Sequence, residues 1–123
     1  YQVRHGATTI WESWEGLREN GTGSLNHYSK GAVCRWLIQT LGGIRMDEAY
    51  TFRIEPLINR RIGDVRCAYE SLYGRVACRW KLEGNAAQIV VTVPANTTAR
   101  VCLPDGSERT VSGGEHAYSV PVD

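Results

Sequence analysis

Two hydrophobic periods share this chain, and they change over at residues 44–48. Upstream, Leu25, Tyr28, Ala32, Val33, Trp36, Leu37 and Leu41 recur at the 3.6-residue spacing of an amphipathic helix. Ser24 reads as its N-cap and Gly42-Gly43 as its stop, with Ser29, Lys30, Arg35 and Gln39 covering another face. Downstream the period is two: Phe52 and Ile54 alternate with Arg53 and Glu55, and Val65, Cys67 and Tyr69 with Arg66, Ala68 and Glu70. A pattern of one period cannot present a continuous apolar face in the other structure. The chain therefore reads as α+β: a short N-terminal helical segment followed by an antiparallel β-sandwich.

Turn chemistry divides the second part. A hairpin turning at Leu72-Tyr73 sets Cys67 opposite Cys78 and puts Val65, Cys67, Tyr69, Val76, Cys78 and Trp80 on one side. Gly84-Asn85 marks another turn, Ile89, Val91 and Val93 form an apolar face, and Pro94-Ala95-Asn96 ends that strand. Ala99, Val101 and Leu103 continue the pattern to the hairpin signal Asp105-Gly106. Short strands follow over 107–111 and 115–120, separated by Gly113-Gly114. The reading gives six or seven short strands, with Tyr69, Trp80 and Tyr118 in the core.

A chain of 123 residues holds one modest domain. Its net charge of +1 is well mixed, which argues against a nucleic-acid or membrane partner held by electrostatics. There is no apolar run of spanning length and no signal peptide; the start at Tyr1 without a Met fits a fragment. Cys34, Cys67, Cys78 and Cys102 lack metal-ligand spacing, so no metal and no cofactor is expected. They read as buried free thiols, which favours a cytoplasmic setting, with Cys67 and Cys78 as reduced neighbours. Residues 18–24 form a loop on the rim of any site nearby, and the sequons Asn20-Gly21-Thr22 and Asn96-Thr97-Thr98 read as turns.

The chemistry is concentrated in Gly6–Gly16, GATTIWESWEG. Thr9 and Glu12 fit a capping box, so a short helix is expected to start here and end by Gly16. On it Trp11 and Trp14 are three residues apart, as are Glu12 and Glu15. Indoles beside carboxylates suit a sugar site: the ring packs on the apolar face of a pyranose, and the carboxylate binds hydroxyls or activates water. The same spacing also suits a plain structural role, with Glu12 capping the helix and both indoles in a core. Asn26 and His27, in the expected first turn of the second helix, either cap it or reach a ligand, and His5 reads as a loop histidine.

Six blocks in order, GATTIWESWEG, SLNHYSKGAV at 24–33, GIRMDE at 43–48, FRIEP at 52–56, YESLYGRVACRW at 69–80 and VTVPANTTARVCLP at 91–104, resemble the C-terminal end of bacterial α-L-rhamnosidases. The resemblance covers nearly the whole chain but only the tail of such an enzyme. It implies the last helices of an (α/α)6 catalytic barrel over residues 1–45 and a C-terminal β-sandwich domain over 46–123. It assigns the general base to Glu12 and contacts with rhamnose to Trp11, Trp14, Glu15, Asn26 and His27. The family pattern favours Asp where this chain has Glu15, Arg where it has Ser13 and Gly where it has Cys34, which bears on fine substrate preference.

The resemblance further implies hydrolysis of terminal α-L-rhamnosides with inversion by the parent protein, its general acid lying upstream of this chain. The expected partners are a rhamnose-containing glycoside and the remainder of the barrel, or a second copy against the exposed helix face. The chain alone is then expected to be inactive. The alternative is an accessory module whose sandwich binds carbohydrate or only buttresses a barrel.

Overall fold

The computed structural model describes residues 1–19, 21 and 23–122. Two compact units divide at Arg35/Trp36. The sequon at Asn20-Gly21-Thr22 therefore falls outside the described residues at its first and third positions, and so does that part of the proposed rim loop.

In the first unit, a single 3-10 turn, Val3–His5, precedes a long irregular stretch, and α1 covers only Tyr28–Gly31. The helix expected from Thr9 to Gly16 does not form. A segment so short gains little from capping against the cost of helix nucleation. Its backbone bonds instead to residues 24–27. The second expected helix starts late for the same reason: residues 24–27 are engaged in that pairing, and Ser24 Oγ accepts the Asn26 amide at 3.1 Å in a local turn rather than capping a helix. Asn26 and His27 thus precede the helix, with His27 at its N-cap.

Helical structure continues as α2, Val33–Trp36, and a π-turn, Leu37–Leu41, closed by a bond from the Gly42 amide to the Leu37 carbonyl at 3.1 Å. The expected glycine stop is present, and the two glycines have different tasks. Gly42 keeps right-handed helical angles, but a Cβ there would lie 2.5 Å from the Cys67 side chain. Gly43 takes φ +69°, and a Cβ on it would lie 2.2 Å from the backbone of Glu55 and Pro56. The large apolar residues Tyr28, Val33, Trp36 and Leu37 are all exposed.

The sheet belongs to the second unit. Its strands are β1 (Ile44–Glu48), β2 (Thr51–Ile54), β3 (Asp64–Ser71), β4 (Gly74–Glu83), β5 (Ala86–Cys102) and β6 (Glu108–Pro121). The order is β1-β2-β5-β4-β3, and β6 pairs with β5. The β3–β4 hairpin has the register expected from alternation, with Val65 opposite Trp80, Cys67 opposite Cys78 and Tyr69 opposite Val76. Residues 44–48, read as a crossing, instead form a hairpin with β2 through Ala49-Tyr50, where Tyr50 takes φ 65°.

The largest departure from alternation is at two expected strand breaks that are bends. Pro94–Thr97 bulges out of β5 between the pairs Val93–Gly114 and Thr98–Ser112, held by a 2.7 Å bond from Thr97 Oγ1 to the Pro94 carbonyl. Before the bend β5 pairs with β4; after it, β5 pairs in parallel with β2. β6 follows β5 on both sides, passing so close that a Cβ on Gly113 would lie 2.8 Å from the Pro94 carbonyl oxygen. One curled sheet thereby does the work of a sandwich, and its inner residues form one core.

Phe52, Ile54, Val76, Cys78, Trp80, Ile89, Val91 and Val101 are the fully enclosed centre of that core. Trp80 Nε1 donates to the Leu41 carbonyl at 2.9 Å, so a buried indole satisfies an orphan acceptor at the end of the π-turn. Tyr118 packs against the core, whereas Tyr69 is 46% exposed because β3 is an edge strand. All four cysteines are free, but Cys34 is exposed rather than buried. Burial, with a smaller effect from neighbouring Cys67, pushes the Cys78 thiol up to about 12.

Candidate active site

Residues 9–12 and 24–27 lie side by side in the first unit. The Glu12 amide donates to the Ser24 carbonyl at 2.8 Å, the His27 amide donates to the Ile10 carbonyl at 2.8 Å, and Thr9 Oγ1 donates to the Leu25 carbonyl. This pairing brings the W-E-S-W stretch against the N-H-Y stretch, although 12 and 27 are far apart in sequence. Lys30 reinforces it from α1: its Nζ donates to the carbonyls of Trp11, at 3.4 Å, and Glu12. Gln2 Nε2 donates to the Ser13 carbonyl at 3.0 Å, and Ser13 Oγ donates to the Gly16 carbonyl. Thus the backbone carbonyls of residues 11–13 are all engaged, and the Ser13 hydroxyl is engaged as well.

The two indoles are placed differently. Trp11 is half-buried, and its six-membered ring approaches the Cα of Gly16: a Cβ there would lie 3.3 Å from two ring carbons and 3.8 Å from Leu25. Gly16 is buried with φ +89°, a conformation and a clearance that both favour glycine. Trp14 is 71% exposed. An indole with one open face can stack on the C–H face of a sugar ring.

Glu12 is half-buried, and its Oε2 lies 3.8 Å from where a Cβ of Gly23 would stand. With no helix at 9–16, the capping reading of Glu12 loses its basis. Among the described residues its carboxylate makes no bond to the Thr9 amide. Glu15 and Asn26 are exposed, and His27 is half-buried with its ring 6.1 Å from that of Tyr28. His5 stacks on Tyr1 at 3.9 Å and its Nδ1 contacts the Tyr1 carbonyl at 2.9 Å, a local arrangement in the leading turn.

Sequence reasoning missed Lys30, Gly16 and Gly23 as parts of this site. Helical spacing assigns Lys30 to a solvated face, and nothing in one dimension shows that it reaches back eighteen residues. The two glycines take positive φ values close to Trp11 and Glu12, a role that only the structure shows. Among the described residues no group of three or more His, Cys, Asp or Glu side chains is placed to hold a metal.

The sequence model of the bacterial alpha-L-rhamnosidase C-terminal domain matches residues 43–118, and that of the bacterial alpha-L-rhamnosidase 6 hairpin glycosidase domain matches residues 1–41. An alpha-L-rhamnosidase of Formosa agariphila is 34% identical over 117 residues, covering 88% of this chain but 13% of that relative. One from Streptomyces avermitilis is 31% identical over 112 residues, covering 85% and 11%. Among solved structures, the native Aspergillus terreus alpha-L-rhamnosidase superposes with a TM-score of 0.80 at 33% identity, over 98% of this chain and 15% of that one. The Streptomyces avermitilis enzyme complexed with L-rhamnose gives 0.78 at 27% identity, over 98% and 14%. The chain therefore spans a small part of the length of each relative.

Proposed function

The chain belongs to the bacterial alpha-L-rhamnosidase C-terminal domain family, and from that premise we propose that it supplies the general-base part of an inverting α-L-rhamnosidase whose remaining barrel is a longer stretch of the same protein. In this reading residues 1–45 are the closing part of the barrel and residues 46–123 the sandwich that follows it. The observation that carries the proposal is Glu12, backbone-anchored to Ser24 and flanked by a packed Trp11 and an open Trp14.

The Glu12 carboxylate takes a proton from a water held on one face of the rhamnose ring. That water attacks the anomeric carbon as the glycosidic C–O bond breaks on the other face. A second carboxyl group, about 6.5–9.5 Å from the first, protonates the leaving oxygen. That acid comes from the parent's upstream helices. Trp14 walls the ring, Trp11 sets the position of Glu12, and His27, Asn26 and Glu15 bind hydroxyls. The 123-residue chain alone lacks the acid and most of the pocket, so it is catalytically silent.

The parent protein tests this with an aryl α-L-rhamnoside. Glu12→Gln lowers kcat by about 10²- to 10⁴-fold with little change in KM, the usual range for a lost general base. A β-configured first product, seen by NMR, supports inversion. Retained activity in Glu12→Gln, or an α-configured first product, overturns the assignment, and rhamnose release by the isolated chain overturns its silence.

A further inference from the structure

We propose that the outer face of β3-β4-β5-β6 carries a second site, built from residues of the second unit alone, that binds an acidic saccharide through its carboxylate or sulfate group. The register lays this face out in rows. Ala68, Ala77, Thr92 and Glu115 stand side by side in the middle row. Arg66, Arg79 and Val90 form the row on one side, and Glu70 and Arg75 the row on the other. Small side chains between long ones leave a cleft of about 330 Å³, lined by all three arginines and by Glu115, with Ala68, Ala77 and Thr92 between them.

The charge in that cleft is not balanced from within. Arg66 faces Arg79 directly across two paired strands, an arrangement that repels. Arg66 has no ion-pair partner among the described residues. Arg79 reaches Glu115 only at 3.9 Å, with both side chains more than 60% exposed. Arg75 is paired with Glu70 at 3.2 Å at the edge of the cleft. An oxyanion seated over Ala77 offsets the Arg66–Arg79 repulsion and accepts charge-assisted bonds from both guanidiniums.

Size and lining select the rest of the ligand. The cleft is at the lower end of small-molecule sites, about 300–1,000 Å³. A stable protein partner needs roughly 800 Å² of surface on each side. The alanine methyls and Val90 suit the C–H face of a sugar ring, and the Thr92 hydroxyl suits one of its hydroxyls. These features favour a charged sugar over an acidic peptide.

Titration of the ¹⁵N-labelled 123-residue chain with sodium D-glucuronate, D-glucose 6-sulfate and neutral methyl α-D-glucoside tests the proposal. At least one acidic sugar is expected to shift the amides of Ala68, Ala77 and Thr92 while the neutral one leaves them in place. The relative affinities of the two acidic sugars identify carboxylate or sulfate as the preferred group. Raising salt from about 0.02 to about 0.3 M should weaken binding several-fold. Arg66→Gln should weaken it at least about tenfold, as expected for a lost charge-assisted bond, with the unfolding midpoint unchanged or higher because a repulsion is removed. The proposal is overturned by equal shifts from the neutral sugar, by no shifts at all, by inorganic sulfate binding as tightly as the sugars, or by a hexaglutamate peptide displacing them at lower concentration. A lower unfolding midpoint in Arg66→Gln would also overturn it, by making that arginine structural.

Discussion

Cys78 offers a quantitative check on the packing of the sheet. Its thiol sits at the centre of the core, fully enclosed, with Cys67 opposite and a pKa raised from 9.0 to about 12, chiefly by burial. In the unfolded chain the thiol ionises near its ordinary value, so the unfolded state loses its proton first as pH rises. The stability due to this group is therefore complete below pH 9 and is lost as pH climbs toward 12. A three-unit difference corresponds to about 4 kcal/mol in all, and to about 2 kcal/mol between pH 8 and pH 10.5. Urea unfolding of the wild type and of Cys78→Ala at those two pH values isolates the effect, since other alkaline titrations are common to both proteins. The wild type should lose about 2 kcal/mol more than the variant over that interval. Parallel pH dependences for the two would refute the reasoning, because they would mean that water reaches the thiol and that this core is not closed.

Two glycine substitutions test the other packed junctions. Gly43→Ala forces a Cβ to 2.2 Å from the Glu55–Pro56 backbone at a positive φ, and should destabilise the chain by about 3 kcal/mol or more, read as a fall in thermal midpoint. Gly16→Ala should push the Trp11 ring from its seat, at a cost of about 1–2 kcal/mol from the left-handed backbone alone; a red-shifted tryptophan emission checks this, and an unchanged spectrum counts against the Trp11–Gly16 contact.

The elements that were legible in one dimension are those in which a local signal and a packing signal coincide. In the β3–β4 hairpin, alternation over eight residues and a tight turn at Leu72-Tyr73 leave a single register, and that register is observed. Exposure along β3 was not legible. Tyr69 and Trp80 have the same alternation, yet one lies on an edge strand and the other in the centre, a difference set by which strands pair. Pro94-Ala95-Asn96 and Gly113-Gly114 signal a change of direction in any context. Whether the chain turns back there or bends and continues depends on partners on either side, here β4 before and β2 after. At the candidate site the helix expected over residues 9–16 does not form, because a capping box operates only where a helix is already favourable.

By itself, the sequence determined the α-then-β order, the β3–β4 register and the strand reversals at Leu72-Tyr73, Gly84-Asn85 and Asp105-Gly106, since each depends on side chains within a few positions of one another. Tertiary structure decided that two apparent pairs of strands are two long bent ones, that residues 9–12 are laid against 24–27, and that Lys30 reaches the carbonyls of Trp11 and Glu12. The physical reason is that backbone hydrogen-bond groups accept any partner of suitable geometry, so the choice among distant segments is made by the sum of packing across the fold and not by the segment itself.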